Sequence, residues 1–194
     1  MPLKFHQSSV LLNFLQEKKR PQIIGEILHF VLSNLCVKRI FNPKEEDLEN
    51  LLKKALFLYP YTLQEREELK KEALEKLKKA INSPLWRDFT HMLSSASSIY
   101  REIEGFLGTK ESFIRPDLLV FKEDEVHLWE FKLRESDFNE EQATLYKTFL
   151  MHLFPKKKKK FFLLTFEPFE FRLLDDDSKN LFNSTQLPLF KNFN

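Results

Sequence analysis

Residues 115–133, RPDLLVFKEDEVHLWEFKL, contain two short apolar runs with charged side chains placed inside them. An acidic stretch at residues 122–125 separates the runs, which predicts two antiparallel strands joined by a turn. Residues two apart in a strand share a face, so Glu130 and Lys132 point to one side while Phe131 packs on the other. Charge at these positions is unusual for a buried strand, and it indicates a functional site.

Asp117 directly follows Pro116 at the start of the first strand. Closing of the hairpin brings its carboxylate near that of Glu130, so the two acids form a pocket beside Lys132. Two carboxylates with open water positions suit Mg²⁺ or Mn²⁺, and a nearby lysine positions or deprotonates an attacking water and stabilises phosphate charge. The pattern therefore indicates phosphodiester hydrolysis. A surface ion pair on an edge strand is the alternative, because an E-x-K pattern alone is common.

The composition of the chain limits the other possibilities. With 194 residues it has the usual size of one domain, and 31 Lys+Arg against 29 Asp+Glu give a formal net charge of +2. Any attraction to nucleic acid must therefore come from a local patch. The single Cys36 excludes an intrachain disulfide and a four-cysteine iron–sulfur cluster. No apolar run reaches the length of a membrane span, so we expect a soluble, cytoplasmic protein.

The first half of the chain reads as helices, and the second half reads as strands around one helix. Helices are predicted at 23–35, from Asn42-Pro43 to about Tyr59, from Thr62 with Glu65 as a capping box to about Ile81, and from Ser83-Pro84 onward. Strands are predicted at 99–107, 113–121, 126–133, 161–166 and 169–174, with a helix at 139–154. We therefore predict a single α/β domain over residues 1–174, with a helical arm at about 20–98, a sheet core at 99–174 and a mobile tail at 175–194.

Pro116-Asp117 and the later Glu130-Phe131-Lys132 resemble the signature of PD-(D/E)xK nucleases. Downstream, QATLY at residues 142–146 resembles the QxxxY motif of the RecB/AddA-type branch. GEILHFVL at residues 25–32 resembles the G-x-x-x-H helix of the same branch. The resemblance covers roughly residues 20–174. It implies a restriction-endonuclease-like αβββαβ core with a mixed central sheet.

The resemblance implies a metal-binding role for several of the matched residues. His29, Asp117 and Glu130 would bind the ion, and the backbone carbonyl of Phe131 would add a ligand. Lys132 would act on the water. A histidine within an apolar helix is more often a hydrogen-bonded core residue, but its Gly-x-x-x-His setting favours the ligand role for His29.

Two further elements are assigned around the metal by the same resemblance. Gln142 and Tyr146 lie four apart on one helical face and are expected to orient the DNA strand, although they could simply be helix surface. Glu102 loosely matches an rExxF element and is expected to support the site. Glu104, on the same predicted strand face, is a competitor for that role.

A run of five lysines comes immediately before the strand at 161–166, namely Lys156, Lys157, Lys158, Lys159 and Lys160. Such a run is most often a solvated turn. It also leads directly into a strand of the predicted core, so phosphate contacts are an equal alternative, and we name Lys156, Lys157 and Lys158 as candidate DNA-binding residues.

The implied activity is Mg²⁺- or Mn²⁺-dependent hydrolysis of DNA. We expect an exonuclease that acts on single-stranded DNA or DNA ends in repair or recombination, with the endonuclease mode left open. Because an iron–sulfur cluster is excluded, the chain resembles the cluster-free AddA and RecB nuclease domains, which are usually fused to a helicase, so a helicase partner is considered. The alternatives are a non-catalytic DNA-binding module and a restriction-type endonuclease, which would normally need a recognition element and a dimer.

The tail carries a separate motif at residues 186–190, QLPLF. It resembles the QL(S/D)LF peptide by which bacterial repair and replication proteins bind the sliding clamp. A terminal peptide could present Leu187, Leu189 and Phe190 to an apolar groove, with Gln186 hydrogen-bonding at the edge of that groove. The alternative is that this segment folds back onto the core as a C-terminal clasp.

Overall fold

The computed structural model describes residues 19–59, 61–107 and 112–174, and within them the chain is an α/β protein. The helices are α1 Arg20–Val37, α2 Glu45–Phe57, α3 Leu63–Ile81, α4 Pro84–Ser94 and α5 Glu140–Leu153. The strands are β1 Ser98–Arg101, β2 Gly105–Leu107, β3 Ser112–Ile114, β4 Leu118–Phe121, β5 Glu125–Lys132, β6 Lys158–Phe166 and β7 Phe169–Leu173. None of these helices is both long and apolar enough to cross a membrane. The predicted tail, with its motif at 186–190, lies outside the described residues.

The predicted starts of α3 and α4 are confirmed by their capping contacts. The Glu65 N–H donates to Thr62 Oγ1 over 3.3 Å, and the Glu65 carboxylate accepts from the Thr62 N–H over 2.8 Å. Ser83 accepts from the Leu85 N–H, and Pro84 is the first residue of α4. These local signals hold because a cap needs only residues within one turn of the helix start.

The predicted start of α2 at Asn42-Pro43 is wrong. The helix begins at Glu45, with Lys44 in the cap position and its N–H donating to Asp47 Oδ2 over 2.9 Å. Three acidic residues then occupy the first turn, where they complement the positive end of the helix dipole. The acidic cluster therefore sets the start of α2.

Two predicted strands are each broken into two. The strand expected at 99–107 becomes β1 and β2, because Glu102 has a left-handed backbone with φ 50°. The strand expected at 113–121 becomes β3 and β4, separated by residues 115–117. Pro116 in that gap has no N–H to give to a neighbouring strand. As a result β2 and β3 pair in a separate two-stranded sheet.

The main sheet has five strands in the order β1-β4-β5-β6-β7. Neighbours are antiparallel except β5 and β6, which are parallel and are connected through α5. Parallel strands need such a crossover, which places α5 against one face of the sheet. Helices α1 to α4 cover the other face, since their apolar residues share one core cluster with the sheet.

The two faces of β5 carry different residues, as the alternation in its sequence predicts. Trp129 and Phe131 are fully buried in the core cluster with α1 to α4. Val126 and Leu128 are equally buried in a second cluster with α5. Even-numbered residues of β5 therefore face α5, and this brings the side chains of Glu130 and Lys132 to that side of the sheet.

Candidate functional site

Asp117 is held between α1 and β5 by two polar contacts. Its Oδ1 lies 3.3 Å from His29 Nδ1 on α1, and its Oδ2 accepts a hydrogen bond from the Phe131 N–H over 2.7 Å. The His29 ring packs edge-on against Phe131 and stacks on Phe166, with ring centroids 5.9 and 6.4 Å apart. The helix that the sequence associates with the site is thus joined to the sheet at the predicted aspartate.

Glu130 and Lys132 begin a chain of hydrogen bonds that leads to α5. Lys132 Nζ donates to Glu130 Oε1 over 2.7 Å and to Gln142 Oε1 over 3.3 Å. Gln142 Nε2 donates to the Tyr146 hydroxyl over 2.7 Å, and this hydroxyl donates to the Arg115 carbonyl over 3.2 Å. The Gln and Tyr of the QxxxY motif are therefore both connected to the predicted lysine.

Burial shifts the pKa values of Glu130 and of the Tyr146 phenol in this cluster. The Glu130 side chain is 4% exposed, and this burial, with the nearby negative charge of Asp117, raises its pKa to about 7 against the opposing effects of Lys132 and His29. Burial, reinforced by the charges of Glu130 and Asp117, also raises the pKa of Tyr146 far above its usual range. Tyr146 is therefore a neutral hydrogen-bond donor, and Glu130 changes charge close to neutral pH.

The donors at this position have the chemistry of a divalent-cation site. Glu130 Oε2 is buried and has no hydrogen-bond partner among the described residues, which is costly unless a ligand completes it. Ligands placed about 2.1 Å from one octahedral ion lie about 3 Å from each other, close to the separation between His29 Nδ1 and Asp117 Oδ1. In the described part of the chain, however, no three His, Cys, Asp or Glu side chains are placed so that together they could hold a metal ion.

Lys132 donates to one oxygen of Glu130, and the Phe131 amide donates to one oxygen of Asp117. Glu130 Oε2 and Asp117 Oδ1 remain for a cation. These residues fit a hard ion such as Mg²⁺ or Mn²⁺, which prefers oxygen ligands and keeps several waters.

Glu102, predicted to support the site, is exposed at the break between β1 and β2. Among the described residues, no hydrogen bond or ion pair joins it to Asp117, Glu130 or Lys132. Glu104 is also exposed. The break in the strand removes the alternation by which one face of residues 99–107 was expected to reach the pocket.

The lysine run lies at the opposite end of β5 from Glu130. Lys158 is the register partner of Glu125, five residues away, and at 3.3 Å per residue this is about 17 Å. Lys157 Nζ donates to the carbonyls of Lys122 and Glu123 over 3.1 and 2.7 Å, so it closes the turn between β4 and β5. Lys156 and Lys158 are exposed. The structure thus brings the lysines together with that turn and not with the acidic pocket.

Arg101, for which the sequence predicts no role, contacts the helix that carries His29. Its guanidinium lies over the ring of Phe30, the residue after His29. Its position immediately before Glu102, within the loosely matched rExxF element, is the signal in the sequence that could have singled it out.

Comparison with known proteins gives no family for this chain. No family model and no curated protein matches it. Among solved structures, the crystal structure of protein VC1899 from Vibrio cholerae is similar over 76% of this chain and 48% of that one, with 14% sequence identity and a TM-score of 0.32. The chain thus spans about half the length of that protein. Similarity at this level indicates nothing about the function of the chain.

Proposed function

We propose that this protein is a metal-dependent nuclease of the PD-(D/E)xK type that hydrolyses phosphodiester bonds in DNA. The convergence of Asp117, Glu130 and Lys132 at the adjoining ends of β4 and β5 carries the proposal. An ordinary ion pair needs one acid and one base, whereas here burial and a second acid, Asp117, together raise the pKa of Glu130. Groups with strongly perturbed pKa values in contact with a specific charge partner are typical of catalytic sites.

The roles proposed for the residues combine their contacts with what the family resemblance implies. Mg²⁺ or Mn²⁺, held by Asp117, Glu130, His29 and the Phe131 carbonyl, would supply Lewis acidity and a bound water of lowered pKa. Lys132, placed by Glu130 on β5 and Gln142 on α5, orients the attacking water and brings positive charge to the phosphate oxygens. Water adds to phosphorus, the P–O bond to the leaving alkoxide breaks, and that oxygen takes up a proton.

The arrangement of secondary structure supports the same type of core. The elements of the main sheet follow the αβββαβ order, apart from β2 and β3, which form the separate sheet. A helix comes first, then β1, β4 and β5 with β4 antiparallel to both of its neighbours, then the crossover helix α5 and the parallel strand β6. The proposed substrate is single-stranded DNA or a DNA end, hydrolysed by an exonuclease acting in repair or recombination. A binding module that keeps the fold without catalysis is the alternative, and the contact of Lys132 with both Glu130 and Gln142 favours the enzyme.

Cleavage of end-labelled DNA tests the proposal. Purified protein is incubated with 5′- and 3′-labelled single- and double-stranded DNA in Mg²⁺, Mn²⁺ or EDTA. Lys132→Ala should lose at least about 100-fold in cleavage rate while retaining DNA binding. Lys160→Ala is the matched control, because Lys160 also pairs with a glutamate of β5 but at the other end. Wild-type protein that binds DNA without cleaving DNA or RNA would support the binding module, and full activity of Lys132→Ala would refute the catalytic assignment.

A further inference from the structure

Arg101 lies one strand away from the segment that carries Asp117, because β1 pairs with β4. It is the last residue of β1 and lies opposite Leu118, the residue that follows Asp117. Opposite Cα atoms in an antiparallel pair are about 4.5–5.5 Å apart. The backbone of Arg101 is therefore a direct neighbour of the segment that carries Asp117.

The guanidinium of Arg101 reaches the same region on α1. Its Cζ lies 5.3 Å from the centroid of the Phe30 ring, and Phe30 follows His29, whose Nδ1 is 3.3 Å from Asp117 Oδ1. The neighbours of Arg101 on β4 and on α1 are thus the residues that follow Asp117 and His29 in the sequence. This position is on the α1 side of the sheet, whereas Lys132 faces α5.

The hydrogen-bond donors of Arg101 are incompletely satisfied. Its Nη1 is buried and has no acceptor, and no ion pair of Arg101 is formed among the described residues. Two other partly buried arginines, Arg66 and Arg172, have an Nε without an acceptor, but each of them reaches an acceptor through Nη2. Arg66 Nη2 donates to the Tyr59 carbonyl over 3.0 Å, and Arg172 Nη2 lies 2.8 Å from the Glu135 carboxylate. The Phe30 ring offsets part of the charge of Arg101 but supplies no oxygen acceptor.

A phosphate group would supply what Arg101 lacks. A buried N–H without an acceptor is costly, and a guanidinium matches phosphate through two parallel charged hydrogen bonds. We propose that Arg101 binds a backbone phosphate next to the scissile one and contacts the strand from the α1 side of Asp117. The identification of the ligand as a nucleic acid rests on the proposed function, whereas the phosphate contact is tested by binding alone.

Anisotropy of a fluorescein-labelled oligothymidylate in EDTA measures this contact without cleavage. Arg101→Met should bind about tenfold more weakly than wild type and lose about 0.7 from the slope of log K against log salt, the value for one single-strand phosphate contact. Arg101→Lys keeps the charge but loses the two parallel N–H donors of the guanidinium, so it should bind the oligonucleotide several-fold more weakly with the wild-type slope. Arg87→Met removes an exposed charge from α4 and serves as the control with wild-type binding.

The outcomes separate this inference from the proposed function. The phosphate contact would be overturned if Arg101→Met bound with the wild-type affinity and slope. It would also be overturned if Arg101→Met bound more weakly but kept the wild-type slope. A wild-type protein that does not bind the oligonucleotide would overturn it as well. Binding that depends on Arg101 in a protein that cleaves nothing would leave the contact standing and remove the nuclease activity. If a thermal unfolding measurement shows that Arg101→Met is not folded, Arg101→Gln replaces it as the neutral variant.

Discussion

The two ends of β5 each hold a glutamate bonded to a lysine, yet the two glutamates differ in proton affinity. At one end Glu125 Oε2 lies 2.9 Å from Lys160 Nζ and 2.8 Å from His127 Nε2, and the pKa of Glu125 is lowered to about 2. At the other end Glu130 Oε1 lies 2.7 Å from Lys132 Nζ, and the pKa of Glu130 is raised to about 7. The two ion pairs thus have nearly the same N–O distance, yet the pKa values of their glutamates shift in opposite directions.

Burial and the second neighbour of each acid explain the difference. Burial also disfavours the charged form of Glu125, but this side chain is 23% exposed, and hydrogen bonds from His127 and Lys160 outweigh the burial. Glu130 is 4% exposed and has Asp117 as its second neighbour, so burial and like charge act together. A Glu–Lys pair on a strand is therefore not in itself evidence for a site. A second acid beside a buried one is the informative feature.

The largest effect expected from this comparison is on DNA cleavage. Glu130→Gln removes a proposed metal ligand and should lower the cleavage rate in Mg²⁺ at least about 100-fold, because a neutral amide binds a divalent ion more weakly. Glu125→Gln makes the same chemical change on the same strand and should retain activity. The measurement is the single-turnover rate on labelled DNA. Equal losses in the two variants would contradict the distinction between the ends of β5.

The second prediction concerns the dependence of stability on pH, measured in EDTA. The folded pKa of Glu130 is above the unfolded value, so folded protein holds its proton longer and stability falls as pH rises from about 4.5 to about 7. Glu130→Gln removes this titration. The free energy of unfolding of Glu130→Gln relative to wild type should therefore rise across this pH window, by on the order of 1–3 kcal/mol.

Glu125 should show the opposite behaviour in a more acidic window. Its folded pKa is below the unfolded value, so it stabilises the fold above about pH 4.5, and this contribution is lost as pH falls toward 2. Glu125→Gln should therefore be destabilised by about 1–3 kcal/mol near neutral pH, with a difference from wild type that shrinks in acid. Urea unfolding of both variants between about pH 2.5 and 8 measures the two profiles. Profiles with the same sign would show that the two acids have similar environments.

The smallest expected effects are within the lysine run, at the Glu125 end of the sheet. Lys156 and Lys158 are exposed, so the change of both to Gln should lower the slope of DNA binding against salt by about 0.7 per lost contact and leave stability unaltered. Lys157→Met should instead lose the contacts with the Lys122 and Glu123 carbonyls and destabilise the fold by about 0.5–1.5 kcal/mol. An unaltered slope in the double variant would identify the run as a solvated turn.

The sequence by itself determined those features that depend on neighbours within a few residues. The alternation along β5 placed Phe131 in the core and Glu130 with Lys132 on the opposite face, and the structure agrees. The capping box of Thr62 and Glu65 likewise fixed the start of α3. Such features are readable because the period of a strand and the first turn of a helix are set by local geometry.

Only the tertiary structure decided which distant residues meet. The break at Glu102 depends on a left-handed backbone that the sequence did not indicate, and it moved this acid away from the contacts of the pocket. The parallel register of β5 with β6 placed Lys158 beside Glu125 rather than near Glu130. The unsatisfied Nη1 of Arg101 depends on the packing of α1 against β1. Contacts between residues far apart in the chain follow from strand order and helix packing, which no local pattern specifies.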